Sequence, residues 1–171
     1  MTSAGRLLAF GENCHGQLGA GILYAKSIAD NPTPTIEPSP VESVWDGLFM
    51  DISGGGAYTL VLDCDGGVWL VGSLYCEEAV PMFAKVDGLP PIAQIACGYS
   101  HAMAVDRQGC VWVIPNSTNE LGQLGLGHRD SCSAVQQAVA FPPVLRVSCG
   151  STTTVVEALG GGLWACGSNI F

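Results

Sequence analysis

The chain has 171 residues, 48% hydrophobic and 12% charged, which is ample apolar material for one folded domain and too little charge for a solvated disordered tail. The net charge is −9, and the six Lys and Arg residues (Arg6, Lys26, Lys85, Arg107, Arg129 and Arg146) stand singly. Nucleic acids and anionic membranes are bound by clustered cations, so this composition argues against both, while an acidic field suits a basic protein partner.

In chain order, the stretch to Gly21 holds one short apolar run, Leu7 to Phe10, which does not read as a secretory signal. No uninterrupted apolar run approaches the ~18 residues that span a bilayer. A loop-like motif follows, Gly11-Glu-Asn-Cys-His-Gly-Gln-Leu-Gly-Ala-Gly21, and then a Pro-rich connection, Tyr24 to Phe49, that reads as loop. Three segments then align without gaps: Ile52 to Trp69, Ile95 to Trp112, and Val147 to Trp164. Their closing tryptophans lie 43 residues apart (69 to 112) and 52 apart (112 to 164). A partial copy opens the chain, where Gly5 to Gly11 matches Gly66 to Gly72 and Leu8 takes the tryptophan's place. The copies divide the chain at 1–48, 49–91, 92–143 and 144–171, the first and last partial. Repeats of this period signal arrays of small supersecondary units.

Each unit reads as three strands, illustrated by Ala93–Cys97, His101–Val105 and Cys110–Ile114, with a tight turn at Asp106-Arg-Gln-Gly109. Alternation of period two, bounded by glycine, marks strands rather than helices. Trp69, Trp112 and Trp164 are expected at equivalent, largely buried core sites, and Trp45, outside the repeat, at a more exposed one. The eight cysteines include no Cys-x-x-Cys pair, and several sit in apolar runs, as Cys97 and Cys149 do. They read as reduced core thiols, which implies a reducing cytoplasmic or nuclear compartment. No Cys/His group has metal-ligand spacing, and nothing in the sequence calls for a cofactor.

The Gly-Gln-Leu-Gly element returns after the third-strand tryptophan as Asn116-Ser-Thr-Asn-Glu-Leu-Gly-Gln-Leu-Gly-Leu-Gly127. Together with the Gly-x-x-His turn and the Gly-x-Val-Trp strand, it resembles the regulator-of-chromosome-condensation repeat. The resemblance implies an all-β fold, a partial β-propeller of about three blades. It further implies that each repeat supplies strands to a four-stranded blade. With only about three blades, the expectation is a ring completed by self-association or cut from a larger one.

Several residues invite a chemical reading. Gly98-Tyr99-Ser100-His101 has a serine beside a histidine, but Ala102 breaks the Gly-x-Ser-x-Gly nucleophile pattern. The resemblance makes His101 the repeat's own histidine, so no catalytic residue is expected. His15 and His128 lie in or beside the Gly-Gln-Leu-Gly loops and read as solvated. Binding candidates are the matching turn residues Tyr58, His101 and Thr153, and the acidic turn residues Asp63, Asp65 and Asp106. The expected role is a non-enzymatic protein-interaction or scaffolding module. The alternative that the resemblance implies is guanine-nucleotide exchange on a small GTPase.

Overall fold

The computed structural model describes residues 7–20, 36–42, 47–74 and 80–169. Its strands are β1 (Leu8–Glu12), β2 (Ile36–Glu42), β3 (Phe49–Gly54), β4 (Tyr58–Asp63), β5 (Val68–Gly72), β6 (Val80–Lys85) and β7 (Ile92–Cys97). There follow β8 (Ala102–Asp106), β9 (Val111–Val113), β10 (Gln136–Gln137), β11 (Val144–Cys149), β12 (Thr153–Ala158) and β13 (Leu163–Gly167). They form four antiparallel sheets in chain order: β1-β2, β3-β4-β5-β6, β7-β8-β9-β10 and β11-β12-β13. No helix among the described residues is long and apolar enough to cross a membrane.

The structure corrects two features of the sequence reading. Part of the Pro-rich connection read as loop is strand β2, which pairs with β1. The unit is also not limited to three strands. β6 and β10 add a fourth strand to two sheets, pairing with the tryptophan strands β5 and β9. Neither carries a clean apolar alternation: β6 is Val-Pro-Met-Phe-Ala-Lys and β10 is two exposed glutamines. Trp45 lies outside the described residues.

Strand β8 shows why alternation specifies the fold. Met103 and Val105 point to one side, where they pack with Val111, Val113, Val147 and Val156. Ala102 and Ala104 point to the other, among Leu60, Leu62, Val68, Ile92, Ile95 and Ile114. The strand is therefore buried on both faces, between the sheet before it and the sheet after it. Each large side chain in these two interlayers contributes about 1.5–3 kcal/mol. The small alanines let β4 and β7 approach, and β7 packs against β3 and β4 as β11 does against β7 and β8.

Three hairpin turns occupy matching places in the repeat and share one backbone. Gly66, Gly109 and Gly161 take positive φ of 91°, 82° and 85°, a region that favours glycine. In the first two sheets the turn glycine also accepts the first N–H of the next sheet, Ile92 to Gly66 at 2.9 Å and Val144 to Gly109 at 2.8 Å. The turns differ in one side chain. Asp63 Oδ1 accepts the N–H of Asp65 (3.0 Å) and of Gly67 (2.7 Å), and its Oδ2 accepts Trp69 Nε1–H at 2.8 Å. Asp106 repeats the clamp on Gln108, Cys110 (both 2.9 Å) and Trp112 Nε1 (2.9 Å). In the third copy the matching residue is Ala158, and no carboxylate is present.

The tryptophans accordingly do not occupy the equivalent, largely buried sites expected of them. Trp69 and Trp112 are half-buried with their indoles clamped, Lys85 lying 5.9 Å from the Trp69 ring centre. Trp164 is 51% exposed. Fully buried aliphatic side chains include instead Leu60 and Leu62 on β4, Val71 on β5, Met103 on β8, Val113 on β9 and Val156 on β12. Replacing Asp106 with Ala should cost about 2–3 kcal/mol, because two turn amides and an indole lose a charged acceptor. Asp65→Ala, which removes an exposed carboxylate, should stay within about 0.5 kcal/mol. Urea unfolding of the two variants checks the difference.

Candidate protein-interaction groove

The turn between the first and second strands is built identically in three sheets. Gly55, Gly98 and Gly150 each donate N–H to the carbonyl three residues on, at Tyr58, His101 and Thr153, all at 2.8 Å. The side chain at that third position folds back over the glycine. A methyl group added at Gly55 would run into the Tyr58 ring, and one at Gly98 into the His101 ring.

These side chains stitch each sheet to the next. The Tyr58 hydroxyl donates between the carbonyls of His101 (2.6 Å) and Gly98 (3.0 Å). His101 Nε2 lies 3.0 Å from Thr154 Oγ1 in the following sheet, while its Nδ1 is buried with no hydrogen-bond partner among the described residues. Burial pushes the His101 imidazole down to about 4 against a weaker opposing contribution from the Thr153 backbone, and burial also raises Tyr58 above its ordinary value. Ser100 does not pair with His101, because its hydroxyl is 2.7 Å from Thr118 Oγ1.

The binding candidates therefore separate. Tyr58 and His101, 1% and 0% exposed, lie buried between sheets. Thr153 is half-buried and its carbonyl closes the third turn. The carboxylates of Asp63 and Asp106 are engaged in their clamps, and only Asp65 stands exposed. Burial pushes both clamped carboxyls up, but their indole and backbone donors (and Lys85 for Asp63) outweigh it and leave them below the usual range.

The thiols follow the same logic. All seven described cysteines are free, and Cys76 lies outside the described residues. Burial raises Cys97 to about 11 and Cys149 to about 12, so neither is a thiolate at neutral pH. Thiol titration of the native protein should label exposed Cys64 first and spare Cys97 and Cys149. Denaturation without reductant should release all eight thiols, and a markedly lower count would overturn the reading as reduced core residues.

The Gly-Gln-Leu-Gly loops are also one structure used twice. Asn13 Oδ1 accepts Leu18 N–H and Asn119 Oδ1 accepts Leu124 N–H, each at 3.0 Å. Gln17 and Gln123 accept the N–H two residues earlier, at His15 (2.9 Å) and Leu121 (3.0 Å). Each loop leans on the following sheet: Thr59 Oγ1 donates to the Gln17 carbonyl at 2.9 Å, and the Cys166 thiol to the Gln123 carbonyl at 3.2 Å.

Where turns and loops meet, a groove of about 370 Å³ opens, lined in part by His15, Gly56, Tyr99, Glu120, Leu121 and Thr152. Its floor includes Leu74, which is buried, and Ser100, Thr118 and Gln123, joined by hydrogen bonds of 2.7 and 3.1 Å. Tyr99 is 68% exposed and Leu121 40%. The sequence reading missed this groove. Its signal was the pair of residues inside each Gly-x-x-His turn, which face outward because the glycine and the third residue face inward.

Antiparallel sheets of up to four strands that stack in chain order, two of them latched to the next through the same turn, are the blades of a β-propeller. The model of the regulator of chromosome condensation (RCC1) repeat matches residues 92–114, one of the repeated units of the chain. It is 27% identical over 172 residues to the serine/threonine-protein kinase Nek9 of Xenopus laevis, covering 93% of this chain and 17% of that protein. It is 25% identical over 183 residues to a secretion-regulating guanine nucleotide exchange factor of Bos taurus, covering 98% of this chain and 36% of that protein. The fold matches a crystal structure of Prp20p from Saccharomyces cerevisiae, described together with its binding to Gsp1p and histones. The TM-score is 0.72 at 21% identity, over 91% of this chain and 40% of the other. The chain thus spans well under half the length of these proteins.

Proposed function

We propose that the chain is a protein-interaction module that receives its partner in the groove between the Gly-x-x-His turns and the Gly-Gln-Leu-Gly loops. The observation that carries this reading is a division of labour within each turn. Tyr58 and His101 are consumed in latching sheets together, whereas Tyr99 is rigidly mounted yet 68% exposed at the groove. An exposed aromatic on a fixed backbone is a common anchor for a partner. The relatives support a module rather than one activity, because similar repeats occur in proteins named as a kinase and as an exchange factor. The cysteines suit a cytoplasmic or nuclear setting. The role is binding, with no catalysis of its own.

The test is affinity capture with the intact chain, comparing wild type with Tyr99→Ala. Partners retained by the wild type should be lost from Tyr99→Ala while the unfolding midpoint moves little. An unchanged partner set would remove the groove from consideration.

Exchange on a small GTPase is the second reading, favoured by the similarity to the Bos taurus exchange factor. Against it, the three turns hold one histidine, which is buried, and no aspartate. The expected result is that substoichiometric protein does not accelerate release of a fluorescent GDP analogue from a panel of small GTPases. Light scattering on the same samples reports self-association, and acceleration by an assembled form would favour the second reading.

A further inference from the structure

Resting on that reading, we propose that the groove takes an arginine side chain from a basic segment of the partner. Three features converge on a guanidinium. The first is the Tyr99 ring. Its backbone is tied on both sides, the Tyr99 N–H donating to Ser151 O at 3.2 Å and its carbonyl accepting Gly56 N–H at 3.1 Å. The ring lies close over Gly56, where an added methyl group would stand 2.9 Å from Cδ2 and 3.1 Å from Cε2. With its Cδ2–Cε2 edge against Gly56 and the residue 68% exposed, the ring is held in place and offers aromatic surface to the solvent.

The second feature is the acid. Glu120 lines the same groove and is exposed. It sits in a loop whose course is fixed by Asn119, through Leu124 N–H to Oδ1 at 3.0 Å and Gly122 N–H to O at 2.9 Å. Among the described residues no Lys or Arg lines the groove, and the whole chain carries net charge −9. A cation entering here meets a carboxylate without competition from the protein's own cations.

The third feature is the wall. Ala57, Leu74 and Leu121 line the groove, giving apolar surface for the methylene stem of a long cationic side chain. A guanidinium is planar and weakly hydrated, stacks on aromatic faces and pairs with a carboxylate through two parallel N–H donors. An ammonium stacks less well and holds its water more tightly, so arginine is preferred to lysine.

The test is an NMR titration of the isotopically labelled full chain. The probes are blocked Gly/Ser hexapeptides with one variable central residue: arginine, lysine, citrulline or glutamate. The arginine peptide should shift the amides of Tyr99, Glu120 and Leu121. Lysine should bind about fivefold more weakly, and citrulline and glutamate should produce no saturable shift. Glu120→Gln and Tyr99→Ala should each weaken the arginine peptide severalfold, and added salt should weaken it further. Equal binding of citrulline and arginine, absence of any saturable arginine shift, or shifts confined to another face would overturn the assignment. If the arginine peptide fails while Tyr99→Ala still abolishes partner capture, the arginine assignment alone is lost. If Tyr99→Ala leaves capture unchanged, the groove itself is lost.

Discussion

Folding stability should fall by roughly 3 kcal/mol between pH 6.5 and pH 4 because of His101 alone. The imidazole is 0% exposed, and burial holds it at about 4 in the folded state against an ordinary 6.5. Above pH 6.5 it is neutral whether the chain is folded or not, and it favours neither state. As pH falls below 6.5 the unfolded chain takes up a proton that the folded chain refuses. Each further pH unit then draws the equilibrium toward unfolding, until the folded form also protonates near 4. The clamped carboxyls of Asp63 and Asp106 act in a separate window. Their folded values lie below the usual range, so the stability they add is present above it and is lost only at still lower pH. Urea unfolding from pH 7 to pH 4.5 should show a steep decline for the wild type and a much flatter line for His101→Gln. Parallel declines would place the acid sensitivity elsewhere.

Gly98→Ala should be strongly damaging, costing roughly 3 kcal/mol. The new carbon would strike the His101 ring and stand 2.6 Å from the Gly150 carbonyl oxygen. The ring cannot withdraw without releasing Thr154, and the carbonyl belongs to the backbone of the next sheet. Two other glycines grade the effect. At Gly150 the methyl group meets the flexible Thr153 Oγ1 at 2.7 Å, so the cost should be intermediate. At Gly54 nothing lies within 4 Å, and Ala should be neutral or slightly stabilising. The order Gly54, Gly150, Gly98 in falling unfolding midpoint is the expected outcome. A Gly98→Ala variant as stable as Gly54→Ala would show that the latch tolerates movement. Even if Gly98→Ala fails to accumulate as folded protein, the spacing between the other two remains measurable.

The repeat was legible in the sequence because its signals are local. Alternation in His101-Ala-Met-Ala-Val105 and glycine at turn positions need only a few residues of context, and they located the second and third strands of each unit. The fourth strands were not legible for a physical reason. β10 is two exposed glutamines, held in the sheet by backbone pairing to Val113 and Trp112 rather than by apolar burial, and β2 is rich in proline. Tryptophan misled in a different way. Its size suggested a core anchor, yet its indole N–H needs an acceptor, and Asp63 and Asp106 hold it at the margin of the sheet where a carboxylate can stay partly hydrated. The candidate groove was illegible as a site because it joins turns and loops from several sheets. What could be read was the kind of turn that builds it, and the same turn singled out Tyr58 and His101, which are buried and whose hydrogen-bond partners lie 43 and 53 residues away.

The alanine at position 158 gives the molecule a direction. Where the first two hairpins are locked by a carboxylate that gathers two amides and an indole, the third relies on its backbone bonds, Ala158 N–H to Gly162 O at 3.0 Å and Gly161 N–H to Ala158 O at 2.9 Å. Amide protons in β12 and β13 should therefore exchange with solvent deuterium through small local openings, faster than their counterparts in β4, β5, β8 and β9. Such openings would begin at the Leu159–Gly162 tip and run toward the His101 latch, which ties Thr154 to the sheet before it. The exchange map of this chain should be a gradient, slow in the middle sheets and fast at that tip, and Ala158→Asp should flatten it by raising protection where the carboxylate is restored.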